Sequence, residues 1–369
     1  MARDSLFGET IVWSGRPKAT TVPALYRLTA AVSALISVVA LCFALVLGLG
    51  LHLRVGSMIF FASWCATLAL ASWRGPLLWR ARVEYIVTDR HVIWRRGRLR
   101  RTIDRAAISY ARILWDPRDP TVGDLVLVRA VPTGALRRTL SLSLAEVEAP
   151  DRLWALVRGV EPTPSLGDRD RPLAQRLDDG ERVLWSATPL GSTWSARRIA
   201  TAALALFLAL ASVRMVLRAN VSVRHVLGVH ALPASVLALL VAGVALGAAL
   251  LIAVALGVGY SAWLRPRRLA RATRYLVTNR RVLIRRGYEE LHLDRSRIAY
   301  VIDAPSRHLH DLFLVLDGPQ ARGMATSGAF GAYGDDGKLA PVLSAIDDAE
   351  TVGAILRSDP LAEPLRTAA

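Results

Sequence analysis

The stretch Tyr85-Ile86-Val87-Thr88-Asp89-Arg90-His91-Val92-Ile93-Trp94-Arg95-Arg96-Gly97 recurs as Tyr275-Leu276-Val277-Thr278-Asn279-Arg280-Arg281-Val282-Leu283-Ile284-Arg285-Arg286-Gly287, with eight of the thirteen positions identical. Tyr85, Val87, Val92 and Trp94 alternate with their neighbours at the period of a half-buried strand pair. Thr88-Asp89-Arg90 and Thr278-Asn279-Arg280 predict the turn, with Asp89 and Asn279 bonding locally to backbone. Gly97 and Gly287 permit the next reversal.

Upstream of each copy lies a pair of apolar runs. Residues 28–51 carry no formal charge. At about 1.5 Å per residue they outreach the roughly 30 Å hydrocarbon core. A second run covers 55–73 after a break at His52, Leu53 and Arg54, so the two predict a helical hairpin. A third run begins at Ile199 and meets Arg214 after 15 residues. It spans only if Arg214 and Arg218 snorkel to the headgroups. A fourth, 231–262, is uncharged and longer than needed, with room to tilt or to begin re-entrant near Pro233. Gly243, Gly247 and Gly257 on it allow close helix contact. Cys42 and Cys65 fall inside spans and read as packing residues.

Flanking cations set the orientation. Arg3, Arg16, Lys18 and Arg27 precede the first hairpin, and Arg74, Arg80 and Arg82 follow it. Arg197 and Arg198 precede the second, and Arg265, Arg267, Arg268, Arg271 and Arg274 follow it. Both hairpins place the polar regions and both termini in the cytoplasm, although Arg214, Arg218 and Arg224 weaken the second vote. Trp73, Trp79, Trp194 and Trp263 lie where an interfacial aromatic belt would fall.

The repeat extends further upstream. Gly8-Glu9-Thr10-Ile11-Val12-Trp13-Ser14 matches Gly180-Glu181-Arg182-Val183-Leu184-Trp185-Ser186. The interval from Gly8 to Tyr85 is 77 residues and from Gly180 to Tyr275 is 95, and a longer connector around residues 218–230 accounts for the difference. The expected layout is an N-terminal segment 1–27, a hairpin 28–79, a polar module 80–160, a linker 161–180, a segment 181–198, a hairpin 199–264, a second module 265–358 and a tail 359–369.

Downstream, module one predicts strands at 108–115, 124–131 and 139–144, then a helix after Ala149-Pro150-Asp151 with Leu153, Trp154, Leu156 and Val157 near one face. Module two predicts strands at 297–303 and 311–317 and a helix near 348–357. Five glycines between Gly318 and Pro341 interrupt the pattern there, so its barrel is expected to be incomplete or to carry a loop. The fold class is α+β: four transmembrane helices in two hairpins, each followed by a small β-barrel or pair of orthogonal sheets capped by a C-terminal helix.

An apolar hairpin followed by Tyr-x-Val-Thr-Asp/Asn-Arg-x-Val and Arg-Gly resembles the bacterial pleckstrin-homology (PH) domain membrane proteins, and it does so twice over almost the whole chain. The resemblance implies PH-like modules of seven strands and one helix beside membrane hairpins. It brings no catalytic residue.

Composition bounds the chemistry. The chain has 369 residues, 53% of them hydrophobic, and a net charge of +17 carried almost wholly by arginine. Two cysteines exclude a disulfide framework and a Cys-rich zinc site. Asp335-Asp336-Gly337-Lys338 fails as a phosphate loop, because Ala332 replaces the first Gly and Leu339 the Ser or Thr. His308, His310 and Asp311 form too sparse a cluster for a metal site. Neither an enzyme nor a cofactor is expected. Arginines at span ends already account for much of the charge, which argues against nucleic acid.

Arg95, Arg96, Arg98, Arg100 and Arg101 are the candidate site for anionic lipid or a partner. Arg285 and Arg286 correspond to them, but Glu289 and Glu290 lower the charge there. These features predict a bacterial inner-membrane protein whose two modules bind or scaffold at the membrane, with lipid headgroups, proteins or self-association as partners. A transporter or channel component, or an accessory to export or membrane stress, is the alternative.

Overall fold

The computed structural model describes residues 8–18, 22–45, 54–131, 138–190, 196–229, 234–306, 309–316 and 339–358. The first half runs β1 (Ile11–Gly15), α1 (Ala24–Leu45), α2 (Gly56–Ala81), β2 (Val83–Thr88), β3 (His91–Arg96), β4 (Leu99–Asp104), β5 (Tyr110–Trp115), β6 (Val122–Val131), β7 (Arg138–Glu148) and α3 (Pro150–Arg158). The second half repeats it: β8 (Val183–Ala187), α4 (Ala196–Val229), α5 (Ala234–Gly259), α6 (Arg265–Arg271), β9 (Thr273–Thr278), β10 (Arg281–Arg286), β11 (Glu289–Asp294), β12 (Ile298–Ser306), β13 (Leu309–Leu316), β14 (Val342–Ile346) and α7 (Ala349–Arg357). The chain is α+β, with antiparallel sheets.

Four helices are long and apolar enough to cross a membrane, and between 6% and 17% of each apolar window is buried. Their outward leucines and aromatics, such as Phe60, Trp64, Leu206 and Phe207, therefore need an apolar solvent. α1 lies along α2, and α4 along α5. Small residues make these contacts. The Ser37 hydroxyl donates to the Ala62 carbonyl at 2.7 Å, and that of Ser212 to the Ala248 carbonyl at 3.2 Å. Gly247 admits Met215, whose Cε is 3.1 Å from where a Cβ would stand. Gly243 and Gly257 face open space, so the close approach uses only one of the three glycines expected. Cys65 is buried, whereas Cys42 is exposed.

α4 does not stop at Arg214. It continues through Arg218 to Val229, so the extra residues of the second copy lengthen a helix rather than a loop. Arg214 and Arg218 are exposed on it. Pro233 lies outside the described residues. At the far end, residues 260–264 form a wider π turn between α5 and Pro266, the first turn of α6. A proline has no N–H to continue the α ladder, and the wider turn absorbs the loss.

β1 pairs with β2, and β8 with β9, so each β module takes its opening strand from the chain preceding its apolar helices. The first sheet is β1-β2-β3-β4. Tyr85, Val87 and Val92 from it meet Ile113, Leu125, Leu127 and Leu144 of β5–β7, with Leu153, Trp154 and Val157 of α3 closing the core. The second core has the same plan, from Tyr275, Val277 and Val282 to Leu312, Leu314, Leu343, Val352 and Leu356. β14 is present, so module two has the same seven strands and helix as module one. The glycine-rich residues 317–338 lie outside the described residues.

β5 also pairs with β11, in the register Glu289↔Leu114, Glu290↔Ile113, Leu291↔Arg112 and His292↔Ala111. The half-sheets of the two modules thereby form one sheet, β7-β6-β5-β11-β10-β9-β8. The stretch between the modules packs as well. Leu173 and Leu177 cover Leu276 and Leu283 on the outer face of that sheet.

Candidate functional site

The repeated signature is a set of latches. In module one, Thr88 Oγ1 donates to Glu9 Oε2 at 2.7 Å and accepts the His91 N–H at 2.8 Å. His91 Nδ1 lies 2.8 Å from the other oxygen of Glu9. In module two, Thr278 Oγ1 donates to Glu181 Oε1 at 2.6 Å and accepts the Arg281 N–H at 2.9 Å. Arg281 grips Glu181 through Nε and Nη2, each at 2.9 Å. The Glu stands before the apolar helices and the Thr after them, so each latch ties the two sides of a helix pair together.

The turn chemistry differs from expectation. Thr88 and Thr278, not Asp89 and Asn279, accept the local turn N–H groups, because their hydroxyls sit inside the turn. Asn279 instead accepts the Arg182 N–H at 2.9 Å, one more tie to the chain before β8. Gly97 and Gly287 do take left-handed conformations, at φ 56° and 62°. Arg90 and Arg280 serve the turns through backbone: their N–H groups point at the Thr hydroxyls, and their carbonyls accept the N–H groups of Arg105 and Arg295 at 2.9 Å.

One further arginine in each module, not singled out from sequence, joins the signature tyrosine in completing it. Arg105 donates to the carbonyls of Thr88, Asp89, Leu156 and Val157, and so joins the turn to the end of α3. Arg295 does the same with Thr278, Asn279, Ile355 and Ser358. Both stand 15 residues after the signature arginine, a spacing that could have revealed them. Tyr85 uses its hydroxyl on the N–H and carbonyl of Ala145, beside the left-handed Glu146 at φ 50°. Tyr275 does so on Ser344, beside the left-handed Ala345 at φ 56°. Asp124 and Asp311 accept the N–H of those left-handed residues. Burial pushes both tyrosine hydroxyls up to about 12. They therefore stay protonated and able to donate.

The arginine run sits at the end of α2 for a topological reason. β2 starts two residues after α2 ends, and antiparallel register sets Val83 opposite Arg96 and Arg96 opposite Leu99. The β3–β4 turn is thus carried back to the mouth of the helix pair. A cleft of about 700 Å³ opens there, lined by Arg16, Arg82, Arg95 and Arg96 with Glu84 and Leu99. Arg16 engages Glu84 at 2.5 Å. The Arg96 guanidinium stacks over Trp79, 3.0 Å from the ring centroid. Arg95, Arg98, Arg100 and Arg101 are exposed, as is Leu99 at the tip. Arg101 also approaches the Trp94 ring at 6.0 Å.

The matching turn in module two is internally neutralised. Arg286 bonds Glu289 at 2.7 Å, and Arg285 lies 3.7 Å from Glu290. Glu290 itself is buried, because β5 and the inter-module stretch cover β11. It takes the Arg176 guanidinium, which also reaches Asp151 at 3.4 Å. Burial would raise Glu290, but His292 at 3.5 Å and the Arg176 charge outweigh it and hold its carboxyl down at about 2. Arg158 bonds Asp178 at 2.5 Å and comes within 3.7 Å of Asp294. This network has no counterpart in the first copy, so no repeat signals it.

His310 pairs with Asp303 at 2.8 Å, and among the described residues no group of three metal-ligating side chains gathers. His308 and the 335–338 stretch lie outside the described residues. Compared with protein-family models, curated proteins and solved structures, the chain finds no match.

Proposed function

We propose that the chain is a non-catalytic binding protein of the bacterial inner membrane, with both termini cytoplasmic and two PH-like modules against the inner face. The arginine end of module one contacts anionic lipid headgroups. The observation that carries this reading is the register of β2, β3 and β4, which brings Arg95 and Arg96 to the cleft where α2 ends and leaves Arg98 exposed on the turn beside them. A cation beside an anionic leaflet contributes about 1 kcal/mol. The neutralised turn of module two makes the preference one-sided.

The test uses the full chain in detergent, titrated with phosphatidylglycerol or phosphatidylcholine, with retained lipid counted by native mass spectrometry. Wild type is expected to retain phosphatidylglycerol in a salt-sensitive manner. Changing Arg95, Arg96 and Arg98 together to Gln is expected to weaken retention by roughly tenfold or more. Equal retention of both lipids, or an unchanged Gln variant, would overturn the reading.

A further inference from the structure

The joint between the modules uses β5 of one and β11 of the other, and the counterparts of these two strands lie at sheet ends. Through this part of the chain, a residue in module one corresponds to the residue 190 positions later in module two. β4 is therefore the counterpart of β11, and β5 that of β12. Within the chain β5 takes β11. Their counterparts β12 and β4 end their sheets, with no strand hydrogen-bonded to their outer edges among the described residues. Exposure records the difference. The middle four residues of β11 are buried, whereas five of the six in β4 are exposed. Ala111 and Ile113 of β5 are buried, whereas Val301 is half-buried and Asp303 exposed on β12.

We propose that β12 of one chain pairs with β4 of a second copy, head to tail, in the register that β5 and β11 already use. An unpaired edge is a template for another strand. The specific occupant follows from the side chains. Transferring the register by the 190-residue offset sets Leu99 opposite Ala304, Arg100 opposite Asp303, Arg101 opposite Ile302 and Thr102 opposite Val301. Opposite charges meet at Arg100 and Asp303, and no like charges face each other. Arg101 against Ile302 mirrors the Arg112–Leu291 pairing inside the chain. Pro305 stands where Trp115 donates its N–H to the Tyr288 carbonyl, so the pairing ends there and spans four residues.

Tethering supports so short a contact. Each module is anchored by its own helix pair, and all such pairs share one bilayer, which raises the effective concentration of one edge near another. A head-to-tail contact of this kind is heterologous, so repetition in the membrane plane gives a ring where the rotation closes and an open arc where it does not.

The test places Leu99→Cys and Ala304→Cys in the full chain with Cys42→Ser and Cys65→Ser, and oxidises native membranes. The expected result is a ladder of linked chains from the double variant. Mixed single variants give one linked dimer, and Leu99→Cys alone gives none. Adding Arg100→Asp is expected to lower the linked fraction roughly two- to fivefold, and Arg100→Asp with Asp303→Arg to restore it. Unlinked chains throughout, equal linking of Leu99→Cys alone, or indifference to the charge reversal would overturn the proposal. Arg100 belongs to the arginine run but Asp303 lies in the other module, so rescue by Asp303→Arg reports strand pairing and would not restore a lost lipid contact.

Discussion

Glu181 and Arg281 form a buried two-point ion pair across the whole of the second apolar helix pair, with Nε–Oε1 and Nη2–Oε2 both at 2.9 Å. Arg281 is 2% exposed and also comes within 3.5 Å of Asp178. Its counterpart His91 meets Glu9 in a more open setting. Breaking a buried pair from one side leaves an uncompensated charge. Glu181→Gln is expected to destabilise the chain by about 3–5 kcal/mol. Replacing both Glu181 and Arg281 by Leu is expected to recover part of that loss. Glu9→Gln is expected to have the smaller effect. Denaturant unfolding in micelles, followed by tryptophan fluorescence, ranks the three variants.

His292 gives the fold a pH dependence. Burial, joined by the charges of Arg281 and Arg176, pushes its imidazole below the ordinary 6.5 against the pull of Glu290. It is neutral in the folded chain at pH 7. As pH falls below 6.5, the unfolded imidazole binds a proton that the folded one refuses, so stability declines with acid. One such group contributes a slope of at most about 1.4 kcal/mol per pH unit. Glu290 acts in a lower window. Its folded value of about 2 lies below the ordinary 4.5, so its contribution is present above 4.5 and is lost as pH falls towards 2. His292→Gln is expected to flatten apparent melting temperature between pH 7 and 5.5. Glu290→Gln is expected to change the profile below 4.5.

Arg176 holds the inter-module stretch against both modules, through Asp151 of α3 and Glu290 of β11. Asp151 also accepts the Gly167 N–H at 2.9 Å. Arg176→Met is expected to strand the buried Glu290 charge and loosen residues 161–180. Trypsin should then cut faster at Arg169 and Arg171. Pairing Arg176→Met with Glu290→Leu removes the stranded charge, and is expected to return cleavage towards the wild-type rate. Unchanged cleavage in Arg176→Met would show that the other ties, Leu173 and Leu177 with Arg158–Asp178 and Asp151–Gly167, suffice to hold the stretch.

Sequence by itself was enough to locate the helices, the repeat and the signature hairpins. Long uncharged runs, two-residue alternation and turn residues are local signals, each readable within a dozen positions. β4 and β11 gave no such signal. Leu99-Arg100-Arg101-Thr102 and Glu289-Glu290-Leu291-His292 read as charged surface after a turn. The same strand of the repeat is exposed in one module and buried in the other, because only β11 finds β5. The roles of Glu9, Glu181, Arg105 and Arg295 depend on partners 16 to 100 residues away. A charge in a sequence carries no record of whether water or a distant carboxylate will face it. Tertiary structure alone decided which charges became latches, which became a buried joint, and which stayed exposed on the turn beside the end of α2, because burial and pairing depend on chain segments brought together only by folding.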